Sequence, residues 1–102
     1  MVKRVIWTVR ADHVFSKILE YYIERNGTKL YSNQLNFKIQ SILNLLSKQP
    51  FLGVKTNFPE VRVFITSNFK IFYQISNDIL LVLLIWDCRQ SSESLEGDLR
   101  AK

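Results

Sequence analysis

Apolar and polar positions alternate most clearly between residues 60 and 90, EVRVFITSNFKIFYQISNDILLVLLIWDCRQ, which reads as three successive β-strands joined by two short turns. Val61, Val63 and Ile65 alternate with Arg62, Phe64 and Thr66, and Ile71, Tyr73 and Ile75 alternate with Lys70, Phe72 and Gln74. Residues 79–88 are apolar on both sides over most of their length, the pattern of a central strand covered on both faces. Asn77-Asp78 predicts a two-residue turn that sets residue 76 opposite 79, Tyr73 opposite Val82, Ile71 opposite Leu84 and Lys70 opposite Ile85. For the other turn a three-residue loop at 67–69 is preferred over a two-residue Ser67-Asn68 loop, because a one-residue slip would place Lys70 on the face of Val61, Val63 and Ile65. The predicted core face then carries Val61, Val63, Ile65, Ile71, Tyr73 and Ile75, continued by Leu80, Val82, Leu84, Trp86 and Cys88. The opposite face carries Arg62, Phe64, Thr66, Lys70, Phe72 and Gln74, continued by Leu81, Leu83, Ile85, Asp87 and Arg89.

Upstream the period changes. Residues 2–9 are β-branched and predict a first strand holding Trp7. Over 11–25, Phe15, Ile18, Leu19 and Tyr22 recur at helical spacing, and Asn26-Gly27 supplies a glycine stop. A second helix over 29–48 has the stripe Leu35, Ile39, Ile42, Leu43 and Leu46 and closes at Gln49-Pro50. Residues 50–59, with Pro50, Gly53 and Pro59, read as a loop into the sheet, and 90–102 as a polar tail. The expected fold is α+β: a β-α-α-β-β-β order with a helical hairpin packed on one face of a mainly antiparallel sheet, one domain over 1–102.

At 102 residues and 47% hydrophobic content the chain can bury one core, roughly two-thirds of its unfolded surface. Its net charge of +5 suits a polyanionic partner, a nucleic acid or an acidic protein. A single cysteine excludes an internal disulfide and suits a reducing compartment. The apolar run 79–86 is too short to span a bilayer, so a soluble cytoplasmic protein without membrane attachment is expected.

Candidate chemistry is basic. One His and one Cys match no metal-ligand spacing, and no phosphate-loop, dinucleotide or serine-nucleophile motif occurs, so neither a metal nor a cofactor is expected. His13 reads as a surface position and Cys88 as a buried thiol. Arg62, Lys70 and Arg89, with Lys55 in the entering loop, are the candidate nucleic-acid-binding residues, since guanidinium and ammonium groups gathered on one face suit a phosphate backbone. Phe64, Phe72, Leu81, Leu83 and Ile85 interleave with them and are the candidate partner-binding surface.

The element order, with Tyr73, Ile75, Asp78 and Ile79 followed by Trp86, Asp87, Arg89 and Gln90, and with EYYIE and KQPFLG upstream, resembles the RelE/ParE toxin superfamily of bacterial type II toxin–antitoxin modules from residue 4 to about 92. The resemblance implies a growth-inhibiting toxin held by a cognate acidic antitoxin laid across the apolar patch. It implies one of two targets. A RelE-like toxin would cut messenger RNA in the ribosome, with Arg62, Lys70 and Arg89 as catalytic residues. Residues 90–102, however, contain no Tyr or His for proton transfer, and Phe64 stands where a second lysine is expected. A ParE-like toxin would poison DNA gyrase without catalytic residues, and this reading is preferred. A toxin-like interaction module with no activity of its own is the remaining alternative.

Overall fold

The computed structural model of the chain describes residues 3–66 and 68–88. Strand β1 (Arg4–Trp7) leads directly into helix α1 (Val9–Asn26), and helix α2 (Leu30–Lys48) follows. The remaining strands are β2 (Val54–Lys55), β3 (Val61–Ile65), β4 (Phe69–Ser76) and β5 (Ile79–Asp87). They form a five-stranded sheet of order β1-β5-β4-β3-β2. Only the β1–β5 pair is parallel. This is the expected α+β arrangement, with one addition: the loop over 50–59 contributes the two-residue edge strand β2.

The helix ends follow from local chemistry. Thr8 caps α1, its hydroxyl oxygen accepting from the Ala11 N–H at 3.1 Å while donating to the Val82 carbonyl at 3.0 Å. At the other end Gly27 takes a left-handed φ of 71° and returns its N–H to the Ile23 carbonyl. The helices close on each other through Ser32, which donates to the Leu19 carbonyl at 2.7 Å, and through the edge-to-face contact of Tyr22 with Tyr31. Their buried stripes, Phe15, Ile18 and Tyr22 on one and Leu35, Ile39, Leu43 and Leu46 on the other, meet Phe69, Ile71, Tyr73, Leu80, Val82 and Ile85 of the sheet.

The sheet departs from the predicted register in two places, each moving a set of side chains across it. The Asn77-Asp78 turn forms as expected, with Asn77 at φ 52° and Tyr73 opposite Val82. A β-bulge follows: Phe72 pairs with Leu84 and Tyr73 with Val82, so Leu83 is extra. Beyond it Ile71 lies opposite Ile85 and Lys70 opposite Trp86, one residue later than predicted. Ile85 therefore enters the helix-side core, while Leu84 and Trp86 leave it. Cys88, expected to be buried, is exposed just past the end of β5. The bulge falls where β1 stops: β1 pairs with residues 79–82 only, and α1 packs along the rest of β5.

The second departure is at β3. Ile65 pairs with Lys70 and Arg62 with Tyr73, the register of the shorter loop. Val61 and Val63 thus lie away from the helices in a second cluster with Phe72, Leu83, Leu84 and Trp86. Lys70 sits half-buried on that face, and Ile65, assigned to the core, is 58% exposed. The preference for keeping a lysine off the Val-Val-Ile face presumed that this face meets the helices, and it does not.

Candidate functional site

Tyr73 is the one phenol on the helix-side face of the central strands, and its hydroxyl needs partners that an aliphatic core cannot supply. It finds them in the loop after α2: the hydroxyl donates to the Pro50 carbonyl at 2.7 Å and accepts from the Gly53 N–H at 2.9 Å. Gly53 is required by space. A Cβ there would lie 2.8 Å from Tyr73 Cε1 and 2.9 Å from Cζ, and closer still to the hydroxyl oxygen. Burial raises the Tyr73 pKa above its ordinary value, opposed in part by the Gly53 N–H and the Arg62 charge.

Arg62, cross-strand from Tyr73, holds the same loop. One guanidinium nitrogen donates to the Gly53 carbonyl at 2.7 Å, and the group lies 4.8 Å from the centroid of the Phe51 ring. The loop so anchored runs into β2, which sets Lys55 directly opposite Arg62. The return to β3 is closed by Thr56, whose hydroxyl donates to the Val61 carbonyl and accepts from the Phe58 N–H. Glu60, after Pro59, adopts a left-handed φ of 63°, a conformation that costs energy for a residue with a side chain.

Between these elements is a cleft of about 590 Å³ whose walls include Phe51, Lys55, Phe58, Glu60, Arg62 and Ile75. Phe51 in its wall is 69% exposed. The cleft offers two cations, one carboxylate and aromatic walls: binding chemistry for an anion or for a protein surface with acidic and apolar groups.

The four predicted basic residues do not gather. Lys55 and Arg62 come together across the β2–β3 pair, while Lys70 lies on the opposite face of the sheet. Arg89 lies outside the described residues, as does the tail 90–102. Nor do the five apolar residues form one exposed patch. Phe72 and Leu83 are buried in the second cluster, Ile85 is fully buried in the helix-side core, and Phe64 packs against that same core. Leu81 alone of the five is half-buried beside the second cluster. His13 is exposed. Among the described residues no group of three His, Cys, Asp or Glu is placed to hold a metal ion, and no helix is long and apolar enough to cross a membrane. Sequence reading missed the Pro50–Gly53 anchor, although a tyrosine in an aliphatic row was its signal.

The sequence model of one protein family, described as the ParE toxin of the type II toxin–antitoxin system parDE, matches residues 5–91. The chain belongs to the ParE toxin family. As a ParE-family toxin it is one half of a toxin–antitoxin module, with a cognate antitoxin as its partner. The fold agrees with a solved structure described as the chromosomal ParDE toxin–antitoxin system from P. aeruginosa, at a TM-score of 0.73. That likeness covers 84% of this chain and 96% of the other at 17% identity. A comparison with curated proteins gave no match. The superfamily resemblance seen in the sequence is thereby borne out.

Proposed function

We propose that this ParE toxin arrests growth by binding and poisoning DNA gyrase, with no bond-breaking step of its own. One observation carries the reading: the Arg62 guanidinium, the best-placed cation for phosphate chemistry, holds the Gly53 carbonyl and the Phe51 ring. The neighbouring Tyr73 hydroxyl is likewise engaged at Pro50 and Gly53, and burial raises its pKa. A general acid or base contributes roughly 10²–10⁴-fold to a cleavage reaction and must reach the proton it moves. These two groups hold a loop instead, and what the loop presents is a binding edge of Phe51 and Lys55. Aromatic and cationic residues on a rigid support are suited to anchoring a protein interface.

A specific observation favours the second reading, ribosome-dependent cleavage of messenger RNA: Lys55 and Arg62 stand side by side in a cleft with Glu60. The two are separated by incubating the purified chain with gyrase and plasmid, and by mapping RNA 5′ ends after induction in a growing bacterium. Gyrase-dependent plasmid breaks with intact messages are expected. New 5′ ends inside translated messages without DNA breaks would overturn the proposal in favour of the ribonuclease. Normal growth with neither would leave an interaction module. The antitoxin, partner of a chain carrying +5, is proposed to be acidic.

A further inference from the structure

The net positive charge of this chain is confined to one stretch. Residues 25–59 contain five Lys/Arg and no Asp or Glu, whereas the other nine Lys/Arg are matched by all nine Asp/Glu. The net +5 therefore resides entirely between the end of α1 and the entrance to β3. Arg25, Lys29, Lys38, Lys48 and Lys55 are all exposed there. No acid lies within the stretch to compensate them.

The structure turns this bias into a surface. The buried side of α2 is Ser32, Leu35, Ile39, Leu43, Leu46 and Ser47, flanked by the half-buried Tyr31 and Ile42, and the opposite side of the helix faces outward. Outward are the exposed amides Asn33, Gln34, Asn36, Gln40 and Asn44, between Lys29 at one end and Lys48 at the other. Phe37 projects from the middle, 74% exposed, with Leu30 and Leu45 exposed to either side of it along the helix. Nineteen residues give the helix a length of about 28 Å, close to eight base-pair steps of duplex DNA.

We infer that the outer face of α2, with Lys29, Lys38 and Lys48 along it, is a docking surface for duplex DNA. Lysines neutralise phosphates without sequence preference. Carboxamides donate and accept at once and so match both phosphate oxygens and base edges. A convex helix is also the shape a major groove admits. An acidic peptide that folds on binding seeks apolar anchor sites set in a groove; Leu30, Phe37 and Leu45 stand on a convex helix, whereas the cleft lies at β2 and β3. The inference concerns DNA contact alone and does not depend on the toxin's target.

The test is fluorescence anisotropy of a labelled 20-base-pair duplex with the full-length chain, without gyrase, between 50 and 200 mM salt (about these values, chosen for the counterion effect). Binding should weaken with salt at a log–log slope of about −2.7, as three phosphate-contacting lysines would give. Lys38→Glu/Lys48→Glu should weaken binding at least about tenfold and reduce the slope by about two. The milder Lys38→Gln/Lys48→Gln serves if the first variant fails to fold by circular dichroism. Lys17→Glu, on α1 outside the stretch, should leave binding within about twofold, since that lysine already lies 3.7 Å from Glu20. No binding at low salt, unchanged binding by the folded double variant, or an equal loss in Lys17→Glu would overturn the inference. So would a polyglutamate peptide that binds this face more tightly than the duplex and displaces it, which would assign the surface to a protein.

Discussion

The Tyr22 hydroxyl donates a 2.9 Å hydrogen bond to Asp87 Oδ2, tying the last turns of α1 to the end of β5. Asp87 is 7% exposed, and it faces α1 only because the Leu83 bulge rotates the end of β5 by one position. Tyr22→Phe removes one partner of a buried carboxylate and should cost about 1–3 kcal/mol. Urea unfolding measures it, and an unchanged midpoint would show that this bond contributes nothing.

Thr8 acts at both ends of the same junction. Thr8→Val keeps the shape and removes both the helix cap and the bond to the Val82 carbonyl. A loss of about 1–2 kcal/mol is expected. Hydrogen exchange at the Ala11 amide should accelerate ahead of the rest of α1. Uniform exchange along the helix would argue against the capping role.

At the cleft, Gly53→Ala should displace the Pro50–Gly53 loop, because its Cβ has no room beside the Tyr73 ring. Tyr73→Phe alone loses the bonds to Pro50 and Gly53 and should cost about 1–3 kcal/mol. The two changes break the same contact, so the double variant should fall short of the sum by roughly 0.5–3 kcal/mol. Strict additivity would mean that the loop is held by other groups.

The raised pKa of Tyr73 fixes a pH dependence. The unfolded tyrosine loses its proton near 10, whereas the folded one, chiefly because it is buried, loses it at higher pH. Above about 10 the folded state thus binds more protons than the unfolded state, and stability falls as pH rises through the folded value. Below 10 the contribution is fully present. Denaturant midpoints between pH 8 and 11 should drop less steeply in Tyr73→Phe than in the parent; parallel curves would refute the assignment.

Phe72 was expected on an exposed patch, where Phe72→Asp would cost only partner binding. It is 5% exposed in the second cluster, so the same change buries an unpaired carboxylate. We expect the isolated domain to lose its fold, a penalty above about 3 kcal/mol. Circular dichroism of the purified variant decides: native spectra would return Phe72 to the surface.

Much of this fold was legible because local rules and tertiary packing agree. The glycine at 27, the Asn77-Asp78 turn and the stripes of both helices all appear where the pattern put them. Residues 79–87, ILLVLLIWD, have no alternation to interrupt, so the bulge at Leu83 left no trace in the sequence. Lys70 misled for a different reason: a half-buried lysine is acceptable where its ammonium can reach solvent, and avoiding it selected the wrong loop. The cleft was half legible. Lys55 and Arg62 were singled out for their charge, but their adjacency depends on a two-residue strand too short to signal itself.

The parallel pairing of β1 with β5 has a consequence for synthesis. Residues 4–7 are made before every other strand of the sheet, yet their strand neighbours are residues 79–82. The chain must close that long separation late, and such non-local pairing is intrinsically slow. A nascent toxin therefore carries its opening strand unplaced until nearly all of the sheet has been translated. A message broken before codon 79 would yield a polypeptide with both helices and no way to dock β1. Completion of the sheet, on this view, waits for β5.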